Sequence, residues 1–184
     1  MSENNGKIFG FETDTVWGLG CLPDDDIAIE KIYEIKNRDR TKPLILMSHD
    51  VKYLEKYVIG IPNYAKILMD KFFPGALTLI FKRSDLCPPS ICAGFDTVGI
   101  RVPNSKNFWD LTTQVKGHVL ATTSLNISNE PPCKDFAEAS EKFGNVAEII
   151  EPKHPSNIMD IASTVVLCTG DEPKILRQGS VKIE

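Results

Sequence analysis

The chain has 184 residues, 42% of them hydrophobic and 25% charged, which suits one ordinary globular domain, 1–184, large enough to bury a core. Its formal net charge of −4 excludes a surface that attracts nucleic acid as a whole and leaves only a local basic patch for that purpose. No apolar run is long enough to span a bilayer and segment 1–7 is polar, without a signal-peptide core, so a cytoplasmic protein without membrane association is expected.

In chain order, residues 7–17 read as a strand running into a turn that Gly18-Leu19-Gly20 closes. Asp24-Asp25-Asp26 supplies an N-cap, and Ile29, Ile32, Tyr33 and Ile35 follow at helical spacing. That helix ends at Lys36-Asn37-Arg38-Asp39-Arg40-Thr41-Lys42-Pro43, a dense basic cluster in an acidic protein. A strand is expected over 44–47. Asp50 then caps a second helix carrying Val51, Leu54, Tyr57 and Val58. Pro62 opens a third with Tyr64, Ile67, Leu68 and Phe72, which Phe73-Pro74-Gly75 stops. Residues 77–81 form a strand and 86–95 a loop. The alternation over 97–103 puts Val98, Ile100 and Val102 on one face and Thr97, Gly99 and Arg101 on the other. A buried guanidinium among apolar neighbours needs an anionic partner, which singles out Arg101. A helix over 107–116 precedes a strand beginning at His118, on which Thr122 and Ser124 share a face before the chain turns polar at Asn126. Pro131-Pro132 marks a loop, Asp135 starts a helix reaching Gly144, and further strands are expected over 146–151, 163–168 and 174–177, with an irregular polar loop over 154–160. Strands and helices interleave throughout, so one α/β or α+β domain with a mixed sheet is expected.

Five cysteines and three histidines are scattered without a ligand spacing, so neither a disulfide framework nor a zinc motif is read. There is no GxxxxGK[ST], no GxGxxG opening a helix and no GxSxG. What remains is hydroxyls, an amide and cations near strand ends: Thr13, Thr15, Arg38, Lys42, Thr97, Arg101, Thr122, Ser124, Asn126, Ser163 and Arg177. Such groups, without a nucleophile–base pair, suit a site that positions anionic substrates and neutralises charge, as phosphoryl or nucleotidyl transfer requires. The cluster at 36–43 reads equally as a solvated helix end, where cations complement the dipole.

Several motifs resemble the YrdC/TsaC family in order: Glu12-Thr-Asp-Thr-Val-Trp-Gly-Leu-Gly-Cys21, Lys36-Asn-Arg38 with Lys42-Pro-Leu44, Phe73-Pro-Gly-Ala-Leu-Thr78, Thr97-Val-Gly-Ile-Arg-Val-Pro103, Ser124-Leu-Asn126 with Ser128, Pro131-Pro-Cys133, Ser163-Thr-Val-Val166 and Ile175-Leu-Arg177. The resemblance implies the short, single-domain form of a threonylcarbamoyl-AMP synthase, with a twisted mixed sheet and flanking helices around a concave basic cavity. It implies a nucleotidyltransferase that joins L-threonine, bicarbonate and ATP, releases pyrophosphate, and supplies a downstream tRNA-modifying transferase complex. Carried over by motif, Lys36 and Arg38 are catalytic, Arg38 and Lys42 meet ATP phosphates, and Thr97, Ser124, Asn126 and Arg177 contact the nucleotide. Thr15, Arg101, Thr122 and Ser163 hold threonine, Arg101 through its carboxylate. Mg²⁺ is expected with ATP, and no residue is assigned as a metal ligand. The family's usual proline is Glu12 here, a carboxylate expected close to the anion site, and Met47 and Lys42 also depart from longer relatives. Two alternatives stand beside this reading: a carbamoyl-AMP-handling domain, and an RNA-binding module of the same fold, with weak tRNA contact open in either case. Of the cluster, Asp39 and Arg40 are expected on the solvent side or paired with each other.

Overall fold

A computed structural model describes residues 6–183; the polar run 1–5 lies outside them. Ten strands form one mixed sheet: β1 (Phe9–Phe11), β2 (Gly18–Cys21), β3 (Ile45–Met47), β4 (Val58–Ile59), β5 (Leu77–Arg83), β6 (Thr97–Arg101), β7 (Leu120–Ser124), β8 (Glu148–Ile149), β9 (Thr164–Leu167) and β10 (Lys174–Arg177). Their order is β10-β9-β5-β6-β3-β7-β2-β1-β8, with β4 on β5. The pairs β1–β8, β3–β6 and β5–β9 are parallel. Four helices flank the sheet: α1 (Asp26–Lys36), α2 (Asn63–Phe72), α3 (Lys106–Gln114) and α4 (Phe136–Phe143). The mixed α/β class expected from the interleaved pattern is therefore the observed one.

The faces of the sheet are covered unequally, and that places the site. Leu46, Leu77, Leu79, Phe81, Val98, Ile100, Ala121 and Val166 pack into one large core with Ile29 and Ile32 of α1, Ala65 and Leu68 of α2, and Ala139 and Phe143 of α4. On the opposite face a smaller core joins Phe9, Phe11, Met47 and Leu120 to Phe108 and Leu111 of α3. Helix α3 covers only that end. Alternation along the remaining strands turns Ile45, Thr78, Ile80, Arg101, Thr122 and Ser124 into the uncovered concavity.

Gly18-Leu19-Gly20 lies inside β2 rather than closing a turn, because the chain turns earlier, over residues 12–17. The glycines serve packing. A Cβ on Gly18 would stand 2.4 Å from Cε2 of Phe11, and one on Gly20 would stand 2.9 Å from the Ala121 carbonyl oxygen. Both glycines thus let the Phe11 ring lie against the sheet. Gly18→Ala is expected to lower stability by about 1–3 kcal/mol in urea denaturation; an unchanged midpoint would show that the ring has room to move aside.

The run after Asp50 is not a second α-helix. It closes as two 3-10 turns, Val51–Tyr53 and Glu55–Tyr57, and Val58–Ile59 pairs with β5 instead. An edge pairing for β4 and burial of Leu54 compete successfully with a helix only two turns long. A further 3-10 turn, Pro89–Ile91, interrupts the loop after β5. Strands β8 and β9 are shorter than the alternation suggested, β8 most of all, whereas β10 spans the expected 174–177.

Candidate active site

The first motif forms the rim nearest β2. Thr13 Oγ1 donates to the Val16 carbonyl at 2.7 Å, stands 3.1 Å from Thr15 Oγ1, and accepts from the Thr15 amide at 3.1 Å. Those bonds turn the chain and hold Thr15 toward Arg101. The guanidinium of Arg101, 4% exposed, donates from Nε to the Gly75 carbonyl at 3.0 Å and from Nη1 to Thr15 Oγ1 at 2.8 Å, and its Nη2 pairs with the buried Asp14 carboxylate. Arg101 does have the anionic partner its strand position demanded. That partner is Asp14, from the chain itself, which carried no role in the sequence reading. Three of the five guanidinium hydrogens are thereby engaged, and two remain.

The basic cluster divides sharply. Helix α1 ends with Asn37 in the left-handed region at φ 49, its amide on Glu34 O and the Arg38 amide on Tyr33 O at 2.9 Å, the two bonds of a Schellman cap. The cap sends Arg38 back over the concavity. There Nε donates to Lys42 O at 3.2 Å and Nη2 to Pro43 O at 2.9 Å, which leaves three hydrogens free. The Lys42 carbonyl also accepts from Tyr33 Oη at 2.8 Å, so Lys42 positions Arg38 through its backbone while its own side chain is exposed on the turn. Arg40 pairs with Glu30 and not with Asp39, which instead accepts from the Thr41 amide and hydroxyl at 2.9 and 2.8 Å.

Lys36 faces away from the concavity. It is 1% exposed, and Nζ donates to Ser124 O at 2.5 Å and to Asn126 O and Oδ1 at 2.7 Å each. Burial first, then the Arg38 charge, lowers its pKa to about 7. Asn126 is tied in turn, Oδ1 accepting from Ser124 Oγ at 2.6 Å and Nδ2 donating to Glu130 O at 2.7 Å. Lys36 and Asn126 therefore fix the end of β7 from behind and present Ser124.

The far wall comes from β5, β9 and β10. Ser163 Oγ lies 2.8 Å from Thr78 Oγ1, and Arg177 donates from Nε to Ser163 O at 3.0 Å and from Nη2 to Ser163 Oγ at 3.2 Å. Together these walls enclose a cavity of about 370 Å³ that brings together Thr15, Arg38, Arg101, Thr122, Ser124, Ser163 and Arg177. Four expected residues do not line it: Lys36 and Asn126 lie beneath it, Lys42 stands on the outer turn, and Thr97 sits at the other end of β6. The strand face between Thr97 and Arg101 is closed at Gly99, where Ile45 Cγ2 and Thr78 Cγ2 come within 2.9 and 3.3 Å of a would-be Cβ.

Thr13, one of the hydroxyls singled out in the sequence, also lines the cavity, together with Thr78, Thr123, Ile45 and Met47, to which the sequence reading gave no substrate contact. Alternation was signal enough for Thr78, which stands between the core residues Leu77 and Leu79. Glu12 is not a lining residue: its side chain is buried and accepts from Asn107 Nδ2 at 3.0 Å. None of the lining residues is Asp or Glu, so the cavity offers phosphate-binding donors and hydroxyls but no carboxylate ligand for a cation. A larger concavity of about 410 Å³ lies between α3 and the β1–β8 edge, but the Lys7 and Glu148 side chains there pair with each other at 2.7 Å.

Residues 3–179 match the Sua5/YciO/YrdC family profile, described as "Telomere recombination". A threonylcarbamoyl-AMP synthase of Bacillus subtilis is 37% identical over 97% of this chain and 51% of its own. The crystal structure of Pyrococcus abyssi Sua5 complexed with L-threonine superposes with a TM-score of 0.86 at 33% identity, over 95% of this chain and 51% of that one. Escherichia coli YciO gives a TM-score of 0.84 at 26% identity, over 96% and 85%. The chain thus spans about half the length of the first two. No helix among the described residues is long and apolar enough to cross a membrane.

Proposed function

This chain belongs to the Sua5/YciO/YrdC family, and on that premise we propose that it is a threonylcarbamoyl-AMP synthase acting as one unit over 1–184. The observation that carries the reading is the convergence of Arg38, Arg101 and Arg177 with Thr15, Thr122, Ser124 and Ser163 on one cavity of about 370 Å³. That is a volume of the order needed for a small anionic ligand and its binding groups.

In this reading L-threonine and bicarbonate combine, with loss of water, as N-carboxythreonine. Its carboxylate oxygen attacks the α-phosphorus of ATP, the bond to the pyrophosphate oxygen breaks, and threonylcarbamoyl-AMP is left. The protein's part is placement and charge neutralisation. Arg38 turns its three free hydrogens to the phosphates, and Arg177, with three of its own beyond the Ser163 bonds, faces them from the opposite wall. Thr15 and the two free hydrogens of Arg101 take the threonine carboxylate, and Thr122 and Ser163 complete that pocket. Mg²⁺ bound with ATP would neutralise phosphate charge; the lining supplies no carboxylate, so phosphate and water would hold the ion. Lys36, Lys42 and Asn126 act as positioning residues. The product passes in the cytoplasm to a tRNA-modifying transferase complex.

The test is pyrophosphate release that requires ATP, L-threonine and bicarbonate together, with mass detection of threonylcarbamoyl-AMP. Release that ignores threonine would overturn the reading. Arg38→Ala is expected to weaken ATP binding about 10- to 100-fold, the loss of one or two charge-assisted hydrogen bonds. Arg40→Ala, which removes only the surface pair with Glu30, is expected to change it less than about twofold. Equal effects in a nucleotide titration would show that the wrong arginine has been assigned to the cavity.

A further inference from the structure

The five cysteines show no pattern in sequence, and all are buried free thiols, yet the fold presses two of them together. Cys87 and Cys92 lie on the loop between β5 and β6 with their sulfurs 3.7 Å apart. The backbone fixes the pair from both sides. The Cys87 amide donates to Ser84 O at 3.1 Å, and the Cys92 amide closes the 3-10 turn Pro89–Ile91 on Pro89 O at 3.1 Å. Ala93 and Gly94 then turn the chain back toward β6 in the left-handed region, at φ 51 and φ 84. The Cys92 thiol can donate to Pro88 O at 3.6 Å, which leaves its sulfur to accept from Cys87.

Bonded sulfurs stand about 2 Å apart, so each of these has about 0.8 Å to travel, which a small rotation about each Cα–Cβ bond supplies while the backbone stays in place. The hydrogen bond between the thiols lowers the pKa of Cys92 more than burial raises it, and the Arg83 guanidinium lowers it further. The same bond, followed by burial, raises the pKa of Cys87. Cys92 is therefore the sulfur that ionises first, and the thiolate is the reactive form. Arg83 is kept beside the pair by donating from Nη1 to Cys87 O at 3.4 Å. Both cysteines are 1% exposed, but Leu86 and Phe95 on the same loop are more than half exposed. Local opening of this surface loop reaches the sulfurs without unfolding the sheet.

We propose that Cys87 and Cys92 are a redox-responsive pair that closes to an intramolecular disulfide by exchange with a low-molecular-weight disulfide. The Cys92 thiolate attacks one sulfur of the small disulfide and expels one small thiolate. The Cys87 sulfur then attacks Cys92 in the mixed disulfide and expels the second. The two thiol hydrogens of the protein end on the two small thiols released, so the protein pair is oxidised and the small disulfide reduced. The backbone carries the consequence toward the arginine cavity. Leu44 donates its amide to Ile91 O at 2.9 Å, so the neighbour of Cys92 braces the neighbour of Pro43, whose carbonyl holds Arg38 Nη2 at 2.9 Å. The disulfide fixes that brace, and the dithiol leaves it free to open. Neither cysteine lines the cavity, so the pair is independent of the substrates assigned there.

The experiment incubates the folded, reduced protein with oxidised glutathione, alkylates the remaining thiols under denaturing conditions and maps the peptides by mass spectrometry. Two of the five thiols should be lost, in a link between Cys87 and Cys92 of one chain, and dithiothreitol should restore both. Amide exchange at Leu44 and Cys92 should slow in the oxidised protein and recover on reduction. Cys92→Ser should form no internal link, and its Leu44 amide should exchange at one rate under both conditions. Cys92→Ala serves as a second variant, folding of each being checked by circular dichroism. Five thiols still free after conditions that oxidise a control dithiol fully, a link through other cysteines, or the same Leu44 exchange in both wild-type states would overturn the proposal.

Discussion

Arg101→Ala is expected to cost the fold about 3–5 kcal/mol in urea denaturation, because it strands the Asp14 carboxylate as an uncompensated buried charge. Both side chains are 5% exposed, so water cannot take over as it does for a surface pair. The same guanidinium joins the Thr15 turn to the Gly75 carbonyl, and Gly75 is itself bonded from its amide to Val102 O at 2.8 Å. One side chain therefore ties three segments far apart in sequence. Asp14→Asn should cost a similar amount by leaving the cation without its counter-charge. The double replacement Asp14→Asn with Arg101→Met should cost markedly less than the sum of the two singles, since it leaves no charge stranded. The two effects on ligand separate as well. Arg101→Ala removes the donors assigned to the threonine carboxylate, whereas Asp14→Asn keeps them and frees the guanidinium of its internal anion. Threonine should bind more weakly to the first and no more weakly to the second, at temperatures where both are folded. A loss below about 0.5 kcal/mol for Arg101→Ala would mean that the Asp14 pair is open to solvent.

That Arg101 needed an anion was legible from alternation alone: apolar Val98, Ile100 and Val102 leave one face for Thr97, Gly99 and Arg101. Which anion it finds was not, because Asp14 lies 87 positions away in sequence and it takes the β2–β7, β7–β3 and β3–β6 pairings together to bring the two close. The same limit applies at Lys36. Its spacing from Arg38 puts both near one helix end and suggests a shared ligand, but α1 packs on the covered face of the sheet. The Lys36 ammonium ends on Ser124 and Asn126 from behind, while the left-handed Asn37 turns Arg38 to the open side. Periodicity could locate the helix end; it could not tell which side of the sheet each cation reaches. No strand is read over Gly18–Cys21 for a related reason. Gly18 and Gly20 are read locally as turn residues, yet what they accommodate is the ring of Phe11 on the neighbouring strand.

Lys36→Met is expected to cost about 2–4 kcal/mol, because three oxygens lose their donor at once and the methionine offers none. An ammonium has three hydrogens, and each is used here on Ser124 O, Asn126 O or Asn126 Oδ1. The end of β7 should loosen, and amide exchange should quicken at residues 124–128 more than in β5 or β6. The pH dependence gives a second and independent signature. Burial and Arg38 hold the folded pKa at about 7, below the ordinary lysine value of about 10.4 that the unfolded chain retains. Between those limits the unfolded chain binds more protons than the folded one, so the Lys36 contribution makes stability rise with pH. Below about pH 7 both forms carry the proton and this contribution no longer changes. The wild type minus Lys36→Met difference should therefore be flat below neutrality and grow from about pH 7 toward pH 10. A difference that stays constant across that range would show that the three oxygen acceptors hold the proton as firmly as water does, and that burial costs this ammonium nothing.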